Sequence, residues 1–203
     1  MALEMTDTDA TTTATADARL FEALGMLERA VGYTRLSLQH VTPEMLCLPT
    51  PCSRWRLGAL LDHMGESLES LVEAADLGHV APAEPPGPPS RVDAVERLRL
   101  GACSLLGSWS AVACDDEVMV GDRLTTSSFL ARAGALEIAV HGWDVSQATG
   151  IREPIPAALA RDLLPWVGGL VGDPDRPHRF DYPLDGPAIG PSSRLLRFLG
   201  REP

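Results

Sequence analysis

Apolar residues recur at three- and four-residue intervals along most of the chain, and that spacing predicts helices. Between 17 and 40, Leu20, Leu24, Leu27, Val31 and Leu38 share one stripe. The stretch "VTPEMLCLPTPCS" then breaks the pattern with Pro43, Pro49 and Pro51. A second helix is expected over 55–78, with Leu57, Leu60, Leu61, Met64, Leu68, Leu71 and Val72 forming its apolar face and Ser53 as its N-cap. The Pro-rich "GHVAPAEPPGPPS" cannot be helical and serves as a linker. A third helix follows over 91–113, with Val95, Leu98, Ala102, Leu105, Leu106 and Trp109 facing inward. "CDDEVMVGDRLTTSS" reads as a loop with a short extended piece at Glu117–Val120. The fourth helix, 126–149, stops at Gly150, the residue type that most easily takes the left-handed conformation at a helix end. A fifth, 156–171, is interrupted by Pro165, and a short one over 192–199 closes the chain. The fold class these elements suggest is all-α: a four-helix bundle over 17–150 with a C-terminal helical and irregular appendix over 151–203. Residues 1–16 are polar, Thr-rich and acidic, and are expected to form a disordered tail.

The length of 203 residues suits one domain plus that appendix. Aromatics make up 5% against 45% apolar residues, so the core must be built mainly from Leu, Val and Ala. The net charge of −11, with 17 scattered basic residues, argues against nucleic acid and anionic membrane as partners. No apolar run approaches the roughly 20 residues that span a bilayer. The N-terminus has no basic segment leading into an apolar one, so it is not read as a signal peptide. Cys47, Cys52, Cys103 and Cys114 show no CxxC spacing, which fits a reduced cytoplasmic protein better than a disulfide framework.

The chemistry is concentrated in "ALEIAVHGWDVSQATG", residues 135–150. Glu137 and His141 interrupt an otherwise apolar helix, four residues apart and so on one face. A carboxylate oxygen and a neutral imidazole nitrogen are good donors for a divalent metal. A third donor should come from a facing helix, and His63 in "LLDHMGES" is the candidate. Three protein donors would leave a fourth position open to water or substrate, the arrangement of catalytic zinc. The competing reading of the pair is a solvated surface pair or a hydrogen-bonded core histidine. Gly134 and Ala148 are small and would leave room for a pocket nearby.

Two stretches carry a family resemblance. "PTPCSRWRLGALLDHM" resembles the "TPC-x-x-W-x-V-x-x-L-x-x-H" signature of the mycothiol-dependent maleylpyruvate isomerase-like proteins, part of the DinB-like four-helix metal-binding superfamily. "EIAVHGWDVSQATG" resembles their "E-x-x-V-H-G-W-D-L-A-x-A-T-G", and "RLLRFLGREP" is similar to the ending of a short actinobacterial subgroup. The resemblance implies an up-down-down-up bundle with a metal at one end of its core. Its ligands would fall on His63, Glu137 and His141, the residues the spacing proposes. Zinc is the first expectation, and nickel, iron or manganese suit the same donors. The implied activity is a thiol-dependent isomerase or S-transferase using mycothiol on a small organic electrophile. A metal-dependent lyase, cyclase or hydrolase of secondary metabolism, and a non-catalytic small-molecule binding or resistance protein, stay open as alternatives. A homodimer through bundle faces is open as well.

The sequence also departs from the family. Glu66 follows His63 by three where the subgroup has small residues, and could act as acid or base, as a fourth ligand, as a partner of the His63 ring, or as a solvated surface residue. The loop between helices three and four is shortened. The chain leaves no room for the separate C-terminal substrate domain of the full-length isomerase, so maleylpyruvate itself is not implied as substrate. Trp55 and Trp143 are read as structural, and Cys52 as a buried thiol. Asp144 is read as an acceptor for an imidazole N–H or a tie to the TPC loop. Arg132 and Arg152 are read as surface charges, and His40, His79 and His178 as surface residues.

Overall fold

The computed structural model describes residues 5–52, 54–81, 93–177 and 179–203, with side chains from residue 13 onward. Helix α1 (Met5–Leu38) buries Leu20, Ala23, Leu27, Ala30, Val31 and Leu38. It begins far ahead of residue 17, so the expected tail is helical from Met5. No Pro or Gly stands between Met5 and Ala23, so nothing in that stretch breaks the helix. Residues 1–4 of that tail lie outside the described residues.

Helix α2 (Leu57–Leu77) buries Leu57, Leu60, Leu61, Met64, Leu68 and Leu71, as the periodicity predicts. Its first amides are satisfied by the preceding loop: the Leu57 N–H donates to the Leu48 carbonyl at 3.0 Å and Gly58 N–H to Leu46 at 2.8 Å. The expected cap, Ser53, lies outside the described residues; Arg56 stands at the N-cap without capping the helix, its guanidinium donating instead to the Cys47 carbonyl at 2.6 Å. Helix α3 (Ala94–Ser110) is capped by Asp93, whose carboxylate accepts from Val95 N–H at 2.8 Å. The Trp109 indole N–H donates to the Leu71 carbonyl at 3.0 Å and pins α3 to α2. Helix α4 (Ser127–Ala148) starts on Thr126, whose hydroxyl accepts from Phe129 N–H at 3.2 Å. Gly150, at φ +79°, ends it as expected.

Three short strands join the helix ends. β1 (His79–Val80) lies parallel to β2 (Glu117–Val120), which pairs antiparallel with β3 (Arg123–Thr126). The extended piece expected at Glu117–Val120 is therefore the middle strand of a small sheet. Since β1 follows α2 and β2 follows α3, both helices end at the sheet and run parallel. α4 leaves the sheet in the opposite direction. Along α1 and α4 the contacts advance together, Arg19 with Arg132 and then Thr34 with Ile138, so these two are parallel. The bundle is up-down-down-up.

Helix α5 (Ala157–Leu170) continues through Pro165, which does not interrupt it as expected. Pro165 is exposed on the side away from Leu159, Leu163 and Val167, so the helix keeps its buried face despite the missing hydrogen bond. α5 packs on α1, α4 and helix α6 (Gly190–Phe198).

α4 is the central helix, buried on nearly every side, and its small residues let the neighbours close in. A Cβ on Gly134 would lie 2.7 Å from a Leu71 methyl, so this glycine is packed by α2 and leaves no pocket, contrary to expectation. Ala148 likewise packs against the core. A Cβ on Gly142 would collide with Thr34, whose hydroxyl donates to the Ile138 carbonyl at 2.8 Å. Gly107 on α3 is exposed and faces open space.

These two glycines should respond oppositely to alanine. Gly142→Ala is expected to lose about 1–3 kcal/mol by overpacking α1 against α4. Gly107→Ala should gain roughly 0.5–1 kcal/mol by removing backbone freedom from the unfolded chain. Urea denaturation of both variants checks this, and equal effects would refute the close α1–α4 approach.

Candidate metal centre

His63 stands in the second turn of α2, and the preceding loop sets its ring. The Thr50 hydroxyl lies 2.9 Å from the Cys52 carbonyl and 2.8 Å from that of Trp55, closing the loop over itself. Trp55 then stacks on His63 with ring centroids 4.3 Å apart. Trp55 thus orients a candidate ligand, a more direct part than the structural one expected of it. Cys52 is buried behind this loop as a free thiol, and burial pushes its pKa up, which keeps it protonated.

Glu137 and His141 reach the same point from α4. One donor atom from each of His63, Glu137 and His141 lies within 4.8 Å of the other two. The rings of His63 and His141 meet edge to face at 5.3 Å. His141 Nε2 lies 3.1 Å from Glu137 Oε2, and its Nδ1 lies 3.0 Å from Asp144 Oδ2. Asp144 is fully buried and takes a second contact, 3.0 Å, from Arg201 Nη2. Arg201 Nη1 also donates to the Leu199 carbonyl at 2.9 Å, so the chain's end is anchored to the ligand helix. The other oxygen of Glu137, Oε1, accepts from Arg179 Nη2 at 2.9 Å, and Arg179 is steadied by Asp175 at 3.3 Å.

The charges follow from these partners. Burial alone pushes the Glu137 carboxyl up, but the His141 hydrogen bond and the positive charges of His141 and Arg179 outweigh it and hold it at about 2. Burial alone pushes His141 down, but its bonds to Asp144 and Glu137 hold it at about 9, an imidazolium at neutral pH. Burial and the neighbouring His141 both push His63 down, so it is neutral.

This donor set fits a divalent metal. With bonds of about 2.1 Å, tetrahedral ligands stand roughly 3.4 Å apart, so a small contraction of the trio suffices. Asp144 holds Nδ1 of His141 and turns Nε2 toward the other donors, the orientation that metal-binding histidines receive from a carboxylate partner.

The remaining candidates separate clearly. Glu66 is exposed on α2 and is not brought into the cluster, because its position one turn from His63 faces solvent. Arg132 is not a surface charge: it is 2% exposed, stacks over Trp166 at 3.9 Å and donates to the Arg19 carbonyl at 2.9 Å. The aromatic face supplied by α5 is what makes its burial tolerable. Arg152, His40 and His79 are exposed, and His178 lies outside the described residues. Arg179 and Arg201 were not singled out from sequence; the only local sign is the arginine in "FLGREP", with nothing to connect it to Asp144.

A cleft with about 490 Å³ of empty space, its open mouth included, lies among α1, α2, α3 and α4 and shares Glu137 and His141 with the cluster.

The family model described as "Mycothiol maleylpyruvate isomerase N-terminal domain" matches residues 27–146. That span contains all three donors. The chain is also similar to the uncharacterized proteins MT0763 and Rv0738, from two strains of Mycobacterium tuberculosis. Each is 26% identical over 178 residues, covering 81% of this chain and 89% of the relative. No solved structure matches. Among the described residues no helix is long and apolar enough to cross a membrane.

Metal uptake should carry a proton signature. His141 is protonated below about 9, and a metal takes the neutral ring, so zinc binding at pH 7 is expected to release close to one proton. Affinity should then rise about tenfold per pH unit between roughly 7 and 8 and flatten above 9. Calorimetry in buffers of differing ionisation enthalpy measures this, and a flat pH profile would contradict the pairing. Asp144→Asn is expected to weaken zinc roughly 10- to 100-fold by freeing the His141 ring, read by chelator competition.

Proposed function

Because the chain belongs to the mycothiol maleylpyruvate isomerase N-terminal domain family, we propose that it is a metal-dependent enzyme joining a thiol, mycothiol, to a small organic electrophile, as an isomerase or S-transferase. The observation that supports this reading most is the convergence of His63, Glu137 and His141, from two helices, on one point inside the bundle. When bound there, a divalent metal supplies a positive centre that lowers the pKa of a coordinated thiol by several units.

The chain's own residues do the rest by position and charge. Glu137 stays ionised at neutral pH, so one donor is anionic at all times. His63 is neutral and held by the Trp55 ring, so its nitrogen needs neither deprotonation nor reorientation. His141 is kept in one tautomer by Asp144, which Arg201 fixes in turn. Trp55 and the C-terminal segment carrying Arg179 flank the trio. The exposed Glu66 receives no acid–base role in this reading. All four cysteines are free thiols, which supports a reducing, cytoplasmic setting.

Thiol consumption with mycothiol and a panel of electrophiles, maleylpyruvate among them, tests the proposal. Turnover is expected in the zinc-loaded protein and a loss of about 100-fold or more in His63→Ala, whose donor set is incomplete. Failure of the wild type to hold zinc or nickel would defeat the metal reading. Metal bound without any thiol turnover would defeat the mycothiol reading and turn attention to hydrolysis or binding alone.

A further inference from the structure

The cleft beside the metal cluster has walls of one chemistry and a lining charge of another. Leu38 of α1, Leu68 of α2 and Leu98 of α3 contribute apolar surface. Arg35 of α1 and Arg99 of α3 also line it, and both are exposed. Arg35 makes no ion pair with any described residue. Arg99 has only a loose 3.7 Å contact with Glu96, half exposed on both sides, which leaves most of its charge unspent. By contrast, the arginines near the cluster that hold structure are committed to carboxylates: Arg97 to Asp62 at 2.6 Å, Arg179 to Glu137 and Arg201 to Asp144.

In a chain of net charge −11, two unspent guanidiniums on one apolar cleft run against the general field of the surface. The chain has no lysine, so every basic group is a planar fork suited to a carboxylate. Among the described residues the cleft's only anionic lining group is Glu137, and His141 and Arg179 already neutralise it.

We propose that this cleft is the substrate site and takes a small amphipathic carboxylate, with its apolar body between α1, α2 and α3 and its carboxylate at Arg35 and Arg99. The acid group would sit on the arginines while the body extends toward Glu137 and His141, bringing a reactive carbon near the cluster. The assignment rests on the reading that the cluster is the reactive centre, and it narrows the electrophile to a carboxylic acid with an apolar body.

Octanoate and octan-1-ol, titrated into the full-length protein by calorimetry with and without zinc, provide the test. They share an apolar chain and differ in the charged group. Octanoate should bind wild type, with or without zinc, and weaken as salt is raised. Arg35→Gln/Arg99→Gln, at two exposed positions that do not pack the core, should weaken octanoate about fivefold or more and leave octanol unchanged. Equal effects on the two probes, or none on octanoate, would overturn the assignment, as would no octanoate binding to wild type. Zinc uptake measured on the same samples separates the two readings. Zinc bound without carboxylate preference sinks only the cleft assignment, and carboxylate preference without zinc uptake sinks only the metal reading.

Discussion

Asp144 is a carboxylate with no exposure to water, and the site depends on how that charge is compensated. A buried carboxylate needs partners, or it takes up a proton and gives up its charge. Here the partners are Nδ1 of His141 and the guanidinium of Arg201, both at 3.0 Å. Removing either would leave an uncompensated charge in the core, which is costly. The same three groups therefore do two things. They close the C-terminal extension onto α4, and they turn one nitrogen of His141 toward Glu137 and His63. Fold and candidate centre share a single hydrogen-bonded chain.

The bundle geometry makes that chain possible. α1 and α4 approach closely because Gly142, the residue after His141, has no Cβ to meet Thr34. α2 is brought against α4 by the packing of Leu71 on Gly134. Two helix turns from that contact, in the direction away from the sheet, the same pairing sets His63 opposite His141. The glycines on α4 thus set how closely α1 and α2 approach it on either side of the site.

Much of this was legible in the chain. Helices α2, α3 and α4 fall within a few residues of their expected limits, because their apolar stripes are continuous and Gly or Asp marks their ends. The trio His63, Glu137 and His141 was legible for two reasons: i, i+4 spacing is a geometric fact of a helix, and the surrounding motifs resemble a family. Long-range pairing left no such trace. Arg201 lies 57 residues from Asp144, and no periodicity links them. Arg132 has the look of a surface charge because its cover, Trp166, comes from a helix further along the chain. Glu66 satisfied the spacing rule but not the rotation of α2, which turns it to solvent. Spacing says which residues share a face; only packing says which way the face looks.

The balance of charge gives the centre its chemical direction. In the metal-free protein the positive groups His141, Arg179 and Arg201 are balanced by the carboxylates of Glu137, Asp144 and Asp175. Exchanging the His141 proton for a divalent cation adds one positive charge to that balance, at a point where the ligands are largely buried and screening is weak. Such a site is relieved by an anion at its open position. A thiolate satisfies that demand directly, whereas a neutral ligand does so only by giving up its proton. The arginines that appear at first to crowd the cluster are, on this argument, part of what would make an anionic nucleophile stable beside it at neutral pH.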